Sequence, residues 1–421
     1  MANRKRKRRN PETYKLIVVA IFFVAILAIF IKAPNYRFDL IPKETIRLVY
    51  NTEELTAELE KEMIRDEQGE IYLAMEDVKR IWDEDIYFDQ ENQQIITSTD
   101  KKLATMVMGE KEITINSSKV ETYATIFEKD GSYYLPIQEF RDVYNIEVNY
   151  ISETNTVTID NLEERYLIAN SNKTMGIKWL KDTFSKNVDK VERGDPLILD
   201  VNQDLNEKWL KVRTKRGKVG YVKKTQISNI STLRDDLTDE KQIAGTVYLF
   251  IDEFASPANA PNRTGEPLDQ KVNAVAPTLF RVQRSDQSNL RSNIGTAGTN
   301  YISWAHTQGY KVWPMLTNPS MEETTANMLK DYSSREKMIN DIVSAVLTYE
   351  LDGITLRFEG IEDTENFIRF VSELSPRLKE IGKVFVLDLT KLENIPIERV
   401  EKVVDYMIQD SYENSKMVVL Q

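Results

Sequence analysis

Four patterns of apolar and polar positions follow one another along this chain. The first is a block: Leu16–Ile31 runs for sixteen residues without a charge, a glycine or a proline. A helix of that length reaches roughly 24 Å at about 1.5 Å per residue, a little short of a bilayer core of about 30 Å. Tyr14, Lys15 and Lys32 extend it by setting polar ends at the interfaces, so residues 14–33 are predicted to form a transmembrane anchor. Arg4–Arg9 are six consecutive cations. Positive charge stays inside, which makes residues 1–13 a cytoplasmic basic tail and sends the rest of the chain outside. A cleavable signal peptide fits less well, because a cut after Ala33 would put Ile31 at a small-residue position and Pro34 next to the cut.

The second pattern, over residues 45–160, repeats itself. The stretch Ile71–Trp82 aligns without gaps on Tyr133–Tyr144 at an offset of 62 residues, and the match runs on to Ile95 and Val157. Each copy reads as a short strand, an amphipathic helix and a hairpin, with turns at Gln90–Gln93 and Ser152–Asn155. The third pattern, over 163–230, alternates apolar and polar residues with period two on both sides of Arg216-Gly217, which predicts a hairpin in a small β-barrel. The fourth begins after a polar linker. Runs of strand length at Thr246–Phe254, Val272–Phe280, Lys311–Thr317, Gly353–Gly360, Lys383–Thr390 and Asp405–Tyr412 are separated by helical stretches such as Ser334–Glu350 and Asp363–Ile381. Continuous Val/Ile/Leu strands alternating with helices predict a parallel sheet covered on its faces. A TIM-barrel-like α/β domain over 243–421 is the leading arrangement, with active residues at the C-terminal strand ends. Six strands are fewer than eight, so this domain is expected to be incomplete and Met417–Gln421 to leave an open edge, either because the product is truncated or because a protein partner covers it. The fold class is therefore multidomain: an anchor helix, an α+β repeat, a small β-barrel and an α/β domain.

Composition narrows the chemistry. A net charge of −11 over 421 residues, spread along the body, argues against nucleic acid as a partner. There is no cysteine, and His306 is the only histidine. Thiolate metal sites are excluded, and a zinc site would lack its usual ligands. No cofactor or metal is expected.

Three resemblances rest on particular motifs. The "Y-L-P-I-x-E" run at Tyr134–Glu139 and the "T-x-T-V-T-I" run ending at Ile159 resemble the copper amine oxidase N-terminal-like domain of clostridial surface proteins. That likeness implies a stalk or wall-binding module. Copper is not expected, since the segment has no histidine and copper(II) favours imidazole. The run Glu207–Val222 is similar to the bacterial Src-homology-3-like domain, which implies binding to wall peptides or polymers, with Trp209 and Tyr221 as groove candidates or as core aromatics. Lysines and arginines cluster here, which suits either an anionic wall polymer or a solvated face.

The stretch Leu351–Gly360, L-D-G-I-T-L-R-F-E-G, resembles the fourth-strand signature D-G-x-D-x-D-x-E of glycoside hydrolase family 18, the chitinases and wall N-acetylglucosaminidases. Stretches 272–280, 304–313 and 404–413 resemble other strands and a helix of that family. The likeness makes Glu359 the candidate general acid and brings in Asp352 and Tyr412. Thr355 and Arg357 stand where the family has its two inner aspartates. Residues two apart share a strand face, so Thr355, Arg357 and Glu359 are expected to point inward together. In the family the substrate's acetamido oxygen attacks, and the aspartate before the acid orients it. A guanidinium has no acceptor for that task and favours a neighbouring carboxyl in its ionised form, so Arg357 and Glu359 are expected to form an internal salt bridge. Trp304 and Trp313 are candidate stacking faces for sugar. The expectation is a cell-membrane, outward-facing protein that engages a cell-wall polymer or an N-acetylglucosamine-containing glycan, weakly active or inactive. The alternative is an N-acetylglucosaminidase that uses Glu359.

Overall fold

The structure, a computed structural model, describes residues 42, 44–233, 246–263, 267–285, 289–412 and 416–420. The tail at 1–13 and the anchor at 14–33 lie outside these. Among the described residues, no helix is long and apolar enough to cross a membrane. The chain is a multidomain mixed α/β protein whose contacts divide it into two units. One joins the described residues up to Ile71 with Asn145–Thr238, and the other joins Tyr72–Tyr144 with Asp239–Gln421. The repeat is thus shared out, one copy's hairpin to each unit.

In the first unit, Ile146–Ile151 and Thr156–Asn161 form an antiparallel hairpin, and Arg47–Tyr50 lies parallel beside the second strand. The predicted turn is present: Asn155 takes φ 48°, in the left-handed region that Asn tolerates. The next segment forms one antiparallel sheet of seven strands, in the order 187–191, 175–178, 219–223, 209–214, 196–200, 166–171, 227–233. Alternation puts Leu210, Val212 and Val222 into its core. Gly217 makes the hairpin turn with φ +70°, and a Cβ there would stand 2.9 Å from Thr156 Cγ2, so this position needs glycine.

In the second unit, the repeat shows its internal symmetry. Leu73 pairs with Leu135, its own counterpart at the offset of 62, in an antiparallel ladder. Gln93, the counterpart of Asn155, also takes a positive φ, 50°. The hairpin Tyr87–Asp89/Gln94–Ser98 opens a five-stranded antiparallel meander that ends at Ser118–Glu121. This sheet packs on the helices Tyr332–Thr348 and Thr364–Glu380. The contact is made through Ile96, Leu103 and Tyr332 and through a buried ion pair, in which Arg335 donates to Glu373 at 2.8 and 2.9 Å. Tyr87 completes that network.

Among the described residues, the same unit contains six parallel strands, each beside its neighbour in sequence. They are Val247–Asp252, then Ala274–Pro277 running into Phe280–Val282, then Lys311–Val312 with Met315–Thr317, then Gly353–Arg357, Val384–Asp388 and Tyr406–Ile408. Both faces are buried, which explains the unbroken apolar runs. One face carries Ile354, Leu356, Phe385 and Leu387 into a core shared with the helices. The other carries Leu249, Ala276, Met315, Val386 and Ile408 into a single cluster, so side chains from the first, second, third, fifth and sixth strands meet on the inside of a curled sheet. The expected parallel edge at Met417–Gln421 is not what forms: among the described residues, Met417–Leu420 and Tyr406–Ile408 each stand at the end of their sheet. Met417–Leu420 turns back and pairs antiparallel with Val247–Phe250, so the chain covers that edge of its first strand itself.

Candidate functional site at the C-terminal strand ends

The fourth strand delivers its side chains alternately. Thr355 is wholly buried, and its hydroxyl donates to the Trp313 carbonyl at 3.0 Å. That hydrogen bond ties it to the sheet. Two residues on, Arg357 is half-buried at the mouth of the curled sheet. It donates to Glu253, which directly follows the first strand. Its Nε lies 3.8 Å from Asp388 at the end of the fifth strand. Its guanidinium is 5.5 Å from the centre of the Tyr412 ring. Burial works against the Arg357 charge, but Tyr412, Glu253 and Asp388 outweigh it and hold its pKa above the ordinary value.

Asp388 is fully buried and well supplied with donors. Its Oδ1 accepts from the Thr390 amide at 3.0 Å and the Thr390 hydroxyl at 2.6 Å. Its Oδ2 accepts from the Tyr412 hydroxyl at 2.6 Å. Burial, then the Asp388 charge, pushes the Tyr412 hydroxyl well above the usual phenol range, so it stays a donor. Arg357, Asp388 and Tyr412 therefore form one fixed charge-assisted cluster.

Glu359 is held differently. Its backbone is clamped by the buried Asn318 side chain, which accepts from Glu359 N at 2.8 Å and donates to Glu359 O at 3.0 Å. Its carboxylate has no hydrogen bond or ion pair among the described residues. It lines a cavity of about 420 Å³ with Arg281, Thr317 and Arg357. The expected salt bridge between Arg357 and Glu359 does not form, because Glu253 and Asp388 take the guanidinium instead.

Asp352 is not part of this site. It precedes the strand and sits at the opposite, N-terminal end. There it accepts from Lys311 Nζ at 2.9 Å and Val312 N at 3.0 Å, and lies 3.0 Å from His306 Nε2. Burial alone would raise its pKa, but the hydrogen bonds from Lys311, Val312 and His306 outweigh this and lower it. Its part is to fasten the strand start. Trp304 and Trp313 are also displaced from the expected role. Trp313 is buried inside the sheet, stacked on Tyr406 at 5.7 Å. Trp304 is buried against Tyr301 with an edge contact at 5.2 Å. Packing takes up the Trp313 ring, while Trp304 also borders a separate cavity of about 660 Å³, away from Arg357 and Glu359.

Trp209 and Tyr221 belong to the other unit and lie outside its core. The register pairs Trp209 with Lys223 and Lys211 with Tyr221, so all four side chains share the half-buried outer face. Lys223 Nζ stands 5.4 Å from the Trp209 ring centre and Lys181 Nζ 5.8 Å from that of Tyr221, within reach of cation–π attraction.

Sequence reasoning missed Glu253. The signal was available: Phe-Ile-Asp-Glu at 250–253 puts a carboxylate one residue past a parallel strand. Asp252 was missed as well. It is buried, paired with Arg263 at 2.8 Å and accepting from Tyr301 at 2.8 Å.

Part of the chain is similar to known proteins. The copper amine oxidase N-terminal domain model matches residues 50–159. Among solved structures, the C-terminal domain of a putative chitinase from Desulfitobacterium hafniense DCB-2 is 19% identical, with a TM-score of 0.30, over 40% of this chain and 55% of that one. A chitinase from Bacteroides thetaiotaomicron is 20% identical, TM-score 0.34, over 40% and 55%. A glycoside hydrolase family 18 chitinase from Cycas revoluta, solved with (GlcNAc)4, is 14% identical, TM-score 0.32, over 38% and 53%. The chain spans about half the length of these structures. No curated protein matches it.

Proposed function

We propose that this chain is a membrane-anchored, outward-facing surface protein whose α/β part binds a glycan and cleaves it weakly or not at all. The single observation that carries this reading is the position of Arg357. It occupies the mouth where the family 18 scheme calls for a carboxylate, and Glu253, Asp388 and Tyr412 hold it there. A guanidinium cannot accept the acetamido N–H, and its charge opposes a cationic intermediate. Tyr412 gives its hydroxyl proton to Asp388, so it can offer a sugar only an acceptor oxygen. At the cavity Glu359 presents a carboxylate with no hydrogen bond or ion pair among the described residues, able to accept hydrogen bonds from sugar hydroxyls. A barrel-like arrangement of the α/β part belongs to the same reading and is supported by the interior cluster of the curled sheet. The ligand in this reading is an N-acetylglucosamine-containing glycan or another wall polymer. The Trp209–Tyr221 face, of Src-homology-3-like type, is a second wall contact on the same reading.

The test is to incubate the full chain in detergent with chitin oligomers and with peptidoglycan, beside Glu359→Gln. Equal, negligible rates with measurable binding support the proposal. Robust cleavage that vanishes in Glu359→Gln overturns it in favour of a hydrolase.

A further inference from the structure

The Glu253–Arg357 ion pair joins strand ends that are not neighbours. Glu253 follows the first strand and Arg357 ends the fourth, with the second and third strands between them in the sheet. Because the sheet curls, a direct bond between these ends crosses its mouth. Two cavities open there. One, of about 280 Å³, is bounded by Ile251, Ser411 and Tyr412. The other, of about 420 Å³, is bounded by Thr317, Asn318 and Glu359. Glu253, Arg357 and Lys391 line both, and of these Glu253 and Arg357 are bonded to each other across the mouth. Arg357 is anchored from behind by Asp388 and Tyr412, so this pair is braced on the Arg357 side. Ligand pockets span about 300–1,000 Å³. One compartment falls below that range and the other near its lower end, so neither holds several sugar rings.

We infer that the Glu253–Arg357 pair is a strut across the cleft that sets its specificity: the site takes the end of a glycan, and the interior of a polymer cannot thread across it. This rests on the glycan reading of the cleft and adds chain-end selection to it. A ligand that enters one compartment meets the strut after its terminal sugar, so added length gains no further contact. Removing the strut joins the compartments and makes room for a run of sugars.

The experiment compares the full chain in detergent with a Glu253→Ala/Arg357→Ala double variant. Binding of N,N′-diacetylchitobiose and of chitohexaose is measured by calorimetry, with circular dichroism confirming that the variant is folded. Removing both partners takes the guanidinium from buried Asp388, which keeps its hydrogen bonds from Thr390 and Tyr412. A Glu253→Ala single variant, which leaves Arg357 on Asp388, is measured beside it and is expected to shift towards the hexamer in the same direction. The expected result is equal affinity of the wild type for the two sugars, and a preference of about tenfold or more for the hexamer in the double variant. A wild type that already prefers the hexamer tenfold overturns the strut while leaving glycan binding intact. A folded double variant that binds both sugars equally overturns it too. Failure of either sugar to bind either protein overturns the glycan reading, and the strut falls with it.

Discussion

The two copies of the repeat are built alike and used differently. Each has a hairpin with a left-handed residue at the same offset, Gln93 in one and Asn155 in the other. The first hairpin is fastened to helices: Tyr87 donates to Glu373 at 2.8 Å and accepts from Arg335 at 2.5 Å. The second is fastened to a sheet: Asp160 meets Arg213 at 2.8 Å. At the Tyr87 position the second copy has Asn149, which donates to nearby Glu147 instead. The hydrogen-bonded scaffold of a hairpin is indifferent to its neighbour, and a few outward side chains choose it. The two attachments also differ in depth. Arg335 and Glu373 are 1% and 2% exposed, Arg213 and Asp160 5% and 13%.

That difference in depth predicts an order of effects. The largest should come from Glu373→Ala, which strands Arg335 in the interior. A broken buried pair costs about 3–5 kcal/mol, so urea unfolding should show a loss of that size. Replacing both partners, as Arg335→Met/Glu373→Leu, should recover most of it. A small effect of Glu373→Ala would mean that water reaches Arg335 and that the depth contrast is wrong.

Next comes Asp83, in the first copy only. Burial raises its pKa to about 6, with Asp85 adding to the rise, against hydrogen bonds from Thr97 and Tyr144 that lower it. The folded value lies above the ordinary 3.8, so the folded state holds the proton more tightly than the unfolded chain. The contribution of Asp83 is therefore most favourable at acid pH and is lost as pH rises through about 6. From the shift this amounts to roughly 2 kcal/mol between pH 4 and pH 7. Asp83→Asn should flatten the stability profile in that window. Its counterpart Asn145 has no such charge, so an unchanged slope would remove this distinction between the copies.

A smaller effect is expected from Tyr87→Phe, which deletes one hydroxyl from a network whose ion pair survives. About 1–2 kcal/mol by thermal melting is the expected cost. The smallest should come from Glu253→Ala at the cleft. Glu253 is 49% exposed, and exposed pairs contribute about 0–1 kcal/mol. A loss as large as that of Glu373→Ala would show that the cleft pair holds the fold together rather than shaping a site.

The strands of the α/β part were legible because burial on both faces writes itself as unbroken apolar runs. The inward face shared by Thr355, Arg357 and Glu359 followed from period two alone. The partner of Arg357 did not, because Glu253 reaches it only through curvature of the sheet, which no local pattern records. Asp352 misled for the opposite reason. A motif fixes spacing along a strand but not which end faces the mouth, and this carboxylate holds the strand start to Lys311. The layer over the helix Thr364–Glu380 left a trace that was overlooked. Glu373, Ser375 and Arg377 are buried beside the apolar stripe of Phe367, Phe370 and Leu374, which means that the helix is covered on more than one side.

The return of Met417–Leu420 to the first strand has a kinetic side. Neighbouring parallel strands can pair as soon as each has been made, but the outer edge of Val247–Phe250 must wait for Met417–Leu420. Chains grow at about 5–20 residues per second, so that edge stays unpaired for on the order of ten seconds or more during synthesis. An apolar strand with free amides is a template for other chains during that time. Deleting the returning strand should therefore show itself first as aggregation of newly made protein.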